Sequence, residues 1–258
     1  MNDTTPVLHD KDERGVVTLT LNRPQAFNSL SEAMLEALQA ALDRVAADST
    51  ARAVVIAAAG KAFCAGHDLK EMRAKPSQGY YERLFAQCGR VMMSIQKLPV
   101  PVVARVQGIA TAAGCQLVAT CDLAVAVREA RFAVSGVNLG LFCSTPAVAL
   151  SRNLSRKSAF EMLVTGDFIS AEQALYKGLV NRVVDADQLD AEVAALLGRI
   201  VTKPRVAIAM GKALFYRQLE LGTQAAYDDA SQTMACNMMD EGALEGVQAF
   251  IDKRRPNW

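Results

Sequence analysis

Six consecutive apolar residues, Ala53–Ala58 (AVVIAA), constrain the possible folds of this chain more than any other feature. A strand with one face in water alternates apolar with polar residues. A strand covered on both faces reads as an unbroken apolar run, and helices crossing between parallel strands supply that cover. Val102–Val106 and Leu123–Val127 repeat the pattern, with Arg105 the one charged interruption. Upstream, Val17, Leu19 and Leu21 alternate with Thr18 and Thr20, which predicts a half-buried strand ending at Asn22-Arg23-Pro24. Between the strands lie helical patterns. Ser29 and Glu32 have capping-box spacing, Met34, Leu35, Leu38, Leu42 and Val45 recur on one helical face, and residues 109–120 read as a helix of small residues. Strands alternating with helices predict an α/β fold with right-handed crossovers.

From about Ser151 the strand signals fade. Helical windows follow at 155–163, 170–178 (Ser170 and Gln173 again in capping-box spacing), 187–201, 204–219, 222–237 and 241–255. The expected organisation is a core over 1–181 and a helical C-terminal region over 182–258, with no Pro/Gly/Ser-rich linker between them.

The 258 residues carry 28 basic and 27 acidic side chains, a formal charge of +1. No global field draws in nucleic acid or an anionic membrane, so an anionic ligand must be met by local groups. The six cysteines form no C-x-x-C pair, and with only His9 and His67 available no classical zinc cluster is expected. No apolar run is long enough to predict a membrane span. The polar N-terminal stretch MNDTTPVLHDKDERG and the unpaired cysteines predict a cytoplasmic protein with free, mostly buried thiols.

Two segments point to chemistry. KAFCAGHDLK (61–70) follows the first buried strand, and Gly66 lets the backbone turn sharply before a helix starts near Asp68, leaving amides exposed. GIATAAGCQ (108–116) opens a helix after the second strand, and amides there, backed by the helix dipole, can face an oxygen that gains negative charge. Taken singly, each segment fits close helix–strand packing equally well.

LNRPQAFNSL (21–30), KAFCAGHDLKEM (61–72) and GIATAAGCQLVATCDLAVA (108–126) resemble the crotonase, or enoyl-CoA hydratase/isomerase, superfamily. TGDFISAEQALYKGLVNRVV (165–184) and AFIDKRRPNW (249–258) continue the likeness, and the wording of GHDLKEM, ATAAGCQL and GLFCSTPAVAL narrows it to one branch. The resemblance implies a ClpP-like spiral of ββα units with a helical trimerisation region, assembled as a homotrimer or dimer of trimers. It implies an acyl-CoA thioester as ligand, with coenzyme A as part of the substrate and no further cofactor. It also implies an oxyanion hole from the amides of His67 and Ala113. Ala26, Phe27, Ala65, Leu69 and Lys70 would line the CoA site, with Phe250 and Lys253 approaching from a neighbouring subunit.

The family's hydration chemistry uses two glutamates, and neither is present. The first position reads Gln116 and the second Gly136. Gln116 can orient a water but cannot take its proton, and Gly136 offers no side chain. A positioned acid or base is worth about 10²–10⁴ in rate and an oxyanion donor about 10²–10³. Ordinary hydration is therefore expected to be weak or absent, while binding and carbonyl polarisation survive. The alternatives are a non-catalytic acyl-CoA binding or sensing module, or an acyl transfer using Ser144 or Cys143 with His67 as base. Cys143 and Ser144 read equally as small packing residues. Asn138 is a candidate donor to the acyl group, Asp122 reads as a structural turn carboxylate, and Asp68 and Glu71 belong to a first helical turn.

Overall fold

The computed structural model describes residues 5–258; the first four residues of the polar N-terminal stretch lie outside them. β1 (Val7–Lys11) pairs antiparallel with β2 (Val16–Leu21), and α1 (Glu32–Ala47) follows. Then come β3 (Ala53–Ala58), β4 (Ala62–Cys64), α2 (Leu69–Ala74) and α3 (Gln78–Lys97). The pattern repeats as β5 (Val102–Val106), β6 (Ile109–Thr111) and α4 (Ala113–Thr120), and again as β7 (Leu123–Val127), β8 (Arg131–Ala133) and α5 (Ser144–Asn153). After these lie α6 (Arg156–Thr165), β9 (Ile169–Ser170), α7 (Ala171–Lys177), β10 (Arg182–Val184) and α8 (Leu189–Val201). The chain ends with α9 (Arg205–Gln218), α10 (Thr223–Met238) and α11 (Glu241–Ile251).

Each repeat gives its long strand to one sheet and its short strand to another. The first sheet has the order β1-β2-β3-β5-β7-β10 and the second β4-β6-β8-β9. Successive turns of chain thus stack parallel in register, Val54 beside Val102 and Val103 beside Leu123. This is the α/β spiral of ββα units that the apolar runs and the resemblance predict. Every residue of β3 is buried, as a strand with helices on both faces must be.

Three local expectations change. α1 is capped by Ser31, whose hydroxyl accepts the Met34 N–H, whereas Ser29 turns toward Asp68. Residues 109–120 are not one helix: Ile109–Thr111 form β6, paired with β4 and β8, and only then does α4 start. Main-chain pairing on both sides outweighs the helical reading of small residues there. The helical region also begins later than 182, because β10 pairs parallel with β7 and completes the six-stranded sheet. At Ser170 the capping box forms as its spacing predicts, with Gln173 closing it.

Candidate active site

The turn after β4 and the start of α4 meet because both carry residues that allow close approach. A Cβ built on Gly114 would stand 2.1 Å from Cys64 O, so only glycine lets α4 lie this close to β4. Gly66 has φ +90°, and its Cβ position would fall 2.9 Å from Ala112 Cβ and 3.3 Å from Ala113 N. Ala112 itself takes a positive φ of 49° without being glycine, a strained conformation of the kind that collects at functional sites. The Ala112 N–H is spent on Ala133 O at 2.9 Å. Among the described residues, the N–H groups of His67 and Ala113 have no such backbone acceptor. Two free donors thus sit on either side of the Gly66 contact.

His67 and Ala113 both line a cavity of about 330 Å³, together with Ala112, Gly136 and a largely apolar wall. Leu69, Met72, Phe85, Leu139, Leu141 and Phe142 build that wall. Among the described residues no carboxylate lines it.

His67 is fixed by its neighbours. Its Nδ1 lies 3.2 Å from Leu30 O, its ring meets Phe85 edge-on at 5.4 Å, and Nε2 is buried with no partner. Nδ1 therefore carries the proton, and burial pushes the imidazole below its usual pKa, keeping it neutral. Cys143 lines the cavity, but its Sγ accepts the Gly136 N–H at 3.3 Å and burial pushes its thiol up. Ser144 is the first residue of α5, and its hydroxyl donates only a long 3.4 Å contact to Phe142 O. Among the described residues, no hydrogen bond joins His67 to either, so the nucleophile–base pairing is not assembled.

Gln116 is buried on α4, and its Oε1 has no hydrogen-bond partner. Asn138 is turned the other way, donating from Nδ2 to Gly166 O at 3.3 Å, and it is not among the cavity residues. Asp68 caps α2 by accepting the Lys70 and Glu71 N–H groups, while Glu71 accepts the Glu32 N–H. Asp122 ties Val102, Lys212 and Tyr216 together at the entry to β7.

The proposed CoA residues divide into two groups. Ala65 and Leu69 line the cavity, and Phe27 is joined to them because the Ala65 N–H donates to Phe27 O at 3.0 Å. Lys61, which sequence reasoning did not single out, holds its Nζ 5.5 Å from the Phe27 ring centroid, in cation–π range. Ala26 precedes Phe27, and Lys70 is exposed on the first turn of α2. Phe250 (85% exposed) and Lys253 stand free of the cavity within one chain. Sequence reasoning also missed Phe85, although the buried Tyr80, Leu84, Cys88, Val91, Met92 and Ile95 mark the inward face of α3 with helical spacing.

The family model described as enoyl-CoA hydratase/isomerase matches residues 11–258. The chain belongs to the enoyl-CoA hydratase/isomerase family. It is 46% identical over 248 residues to the enoyl-CoA hydratase domain-containing protein 3, mitochondrial, of Rattus norvegicus, covering 96% of this chain and 83% of that one. Among solved structures, an enoyl-CoA hydratase of Mycobacterium smegmatis superposes with a TM-score of 0.97 at 70% identity, covering 98% of both chains. The human enoyl-CoA hydratase domain-containing protein 3 gives 0.94 at 43% identity, covering 98% of this chain and 100% of that one. The narrower branch read from GHDLKEM, ATAAGCQL and GLFCSTPAVAL is therefore that of domain-containing protein 3. The relatives' names overturn the cytoplasmic expectation, since the rat and human proteins are named mitochondrial. Free thiols distinguish a reducing compartment from an oxidising one, and do not distinguish one reducing compartment from another.

Proposed function

We propose that the chain binds an acyl-CoA thioester and polarises its carbonyl between the N–H groups of His67 and Ala113, as a lyase or isomerase with little ordinary hydratase activity. The observation that carries this reading is the pair of unspent donors held across the Gly66 contact. Donors fixed before the substrate arrives need no reorganisation as negative charge develops on the oxygen. The relatives' names support the ligand class. Ala26, Phe27, Ala65, Leu69 and Lys70 accommodate the CoA moiety, with Phe250 and Lys253 completing the site from a neighbouring subunit. The exposed Phe215, Leu219, Tyr227 and Met234 on and beside α9 and α10 support such an assembly, a homotrimer or a dimer of trimers. No separate cofactor is required.

Hydration is expected to be weak because, among the described residues, no carboxylate lines the cavity. Titration calorimetry with butyryl-CoA and a crotonyl-CoA hydration assay test both halves together. Binding is expected, with hydration slower than that of a two-glutamate hydratase by at least about 10². Turnover at the rate of such an enzyme, or no binding of either ester, overturns the proposal. A second reading, a binding module without turnover, is favoured by Leu141 O and Cys143 Sγ, which fill the space a side chain at Gly136 would need. A panel of enoyl-, hydroxyacyl- and malonyl-CoA esters decides between them, since conversion of any ester excludes the module.

A further inference from the structure

The His67 N–H belongs to the peptide group that joins Gly66 to His67, and in a trans peptide the C=O and N–H point opposite ways. Whatever holds the Gly66 carbonyl therefore aims the His67 donor. That carbonyl accepts the Leu30 N–H at 2.8 Å. The Ala113 donor is aimed in the same manner, since the Ala112 carbonyl accepts the Gln116 N–H at 3.0 Å. The two holds differ in kind. The Gln116 bond belongs to α4 itself, whereas the Leu30 bond joins segments far apart in the chain and acts on the peptide that follows Gly66, the residue type whose backbone turns most freely. A peptide plane held there by one bond can tilt.

A second tie meets this weakness. His67 Nδ1 donates to Leu30 O at 3.2 Å, so residue 67 grips with its side chain the same residue whose N–H holds the Gly66 carbonyl. Leu30 and His67 also form an isolated parallel bridge. Leu30 is buried, and Phe85 braces the ring edge-on at 5.4 Å. Nε2 is buried without a partner, which leaves Nδ1 as the hydrogen-bonding atom of the ring. Packing alone would be served by a phenylalanine, without the cost of burying an unpartnered nitrogen. We propose that the His67 side chain is a positioning group for the oxyanion hole: through Leu30 it holds the Gly66–His67 peptide plane, and with it the donor to the thioester carbonyl. This rests on the reading that the carbonyl lies between the N–H groups of His67 and Ala113. The ring touches no reacting atom in this role. A donor fixed before the ligand arrives needs no reorganisation, and hydrogen bonding at the Gly66 carbonyl strengthens the N–H of the same peptide.

Difference infrared spectroscopy of butyryl-CoA, isotope-labelled at the carbonyl carbon and bound to the full chain, reads the polarisation directly. Two substitutions separate positioning from packing. His67→Phe keeps a ring against Phe85 and removes the Nδ1 donor, whereas His67→Asn gives up the ring and offers an amide N–H close to where Nδ1 was. The carbonyl band is expected to move to lower frequency on binding, to lose most of that shift in His67→Phe, and to keep it in His67→Asn. Calorimetry should agree. The preference for butyryl-CoA over S-butyl-CoA, the thioether without a carbonyl, is expected to be about tenfold or more in the parent and in His67→Asn, and about fivefold smaller in His67→Phe. A full shift in His67→Phe overturns the proposal, as does its loss in a folded His67→Asn, the pattern that packing alone would give. If His67→Phe does not fold, His67→Ala takes its place as the variant without a donor. No shift in the parent defeats the carbonyl reading, and no binding defeats the acyl-CoA reading with it; a shift indifferent to residue 67 defeats only the positioning role.

Discussion

The thiol of Cys143 accepts the backbone N–H of Gly136 at 3.3 Å and stands 2.7 Å from the point that a Cβ on Gly136 would occupy. Leu141 O is closer still to that point, at 2.4 Å. Position 136 is thus no vacancy awaiting a carboxylate, because a folded-back stretch of chain fills it. A side chain there must displace backbone, and overpacking of this kind costs about 1–3 kcal/mol. Gly136→Ala is expected to lower the melting temperature by roughly 2–4 °C per kcal/mol. The double substitution Gln116→Glu with Gly136→Glu should accordingly fail to create an efficient hydratase. An unchanged melting curve for Gly136→Ala would mean that the 141–143 stretch yields freely.

His67 gives a pH dependence of definite sign. Its folded-state pKa is depressed by burial, with the Leu30 carbonyl opposing in part. Between that depressed value and the unfolded pKa of about 6.5, the unfolded chain binds the proton and the folded chain does not. Stability from this group is therefore full above about pH 6.5 and is lost as pH falls below it. Urea denaturation of the parent and of His67→Gln across mildly acidic pH should show a steeper decline in the parent. Parallel curves would remove His67 as the cause.

Legibility of the fold followed burial. β3, β5 and β7 were readable residue for residue because a strand covered on both faces has no polar side to confuse it. β4, β6 and β8 have three residues each, too few to show a period, and they exist through pairing with one another. That is why Ile109–Thr111 read as helix. The sharp turn at Gly66 was visible in the sequence, but the close approach of Gly114 to Cys64 O and the wall built from Leu139, Leu141 and Phe142 were not. Its residues follow no period and meet Phe85 only through the fold. The orientation of Asn138 was equally hidden, since its partner Gly166 is 28 residues away.

The cysteines divide sharply in expected reactivity. Burial pushes the thiols of Cys64, Cys88 and Cys115 up to about 12 and raises those of Cys121 and Cys143. Only the thiolate attacks an alkylating agent, and these five groups hold almost none near neutral pH. Brief treatment of the native protein with iodoacetamide should add at most one group per chain, at the exposed Cys236, and six after unfolding in guanidinium. Intact mass with peptide mapping reads the result. Rapid labelling of Cys143 would revive a nucleophilic role for it.

Asp122 joins α9 to the body of the chain, and its network predicts how that helix is lost. Lys212 Nζ donates to Asp122 Oδ2 at 2.6 Å, to Ile95 O at 2.9 Å and to Val100 O at 3.0 Å. Tyr216 donates to Asp122 Oδ1 at 2.6 Å, and the Val102 N–H meets Oδ2 at 2.6 Å. The ends of α3, β5 and β7 are thereby stapled to a helix that has no fully buried residue of its own. Burial pulls the Lys212 pKa down while Asp122 pulls it up, and the lysine side chain is 7% exposed. Removing one member leaves the other charge buried without its counterion, at about 3–5 kcal/mol, whereas removing both charges spares that penalty. Lys212→Met should lower the urea midpoint markedly, and Asp122→Asn with Lys212→Met should cost less than the two single losses added together. Additive losses would mean that the two side chains hold α9 independently, and amide exchange along α9 would then be unaffected by which one is removed.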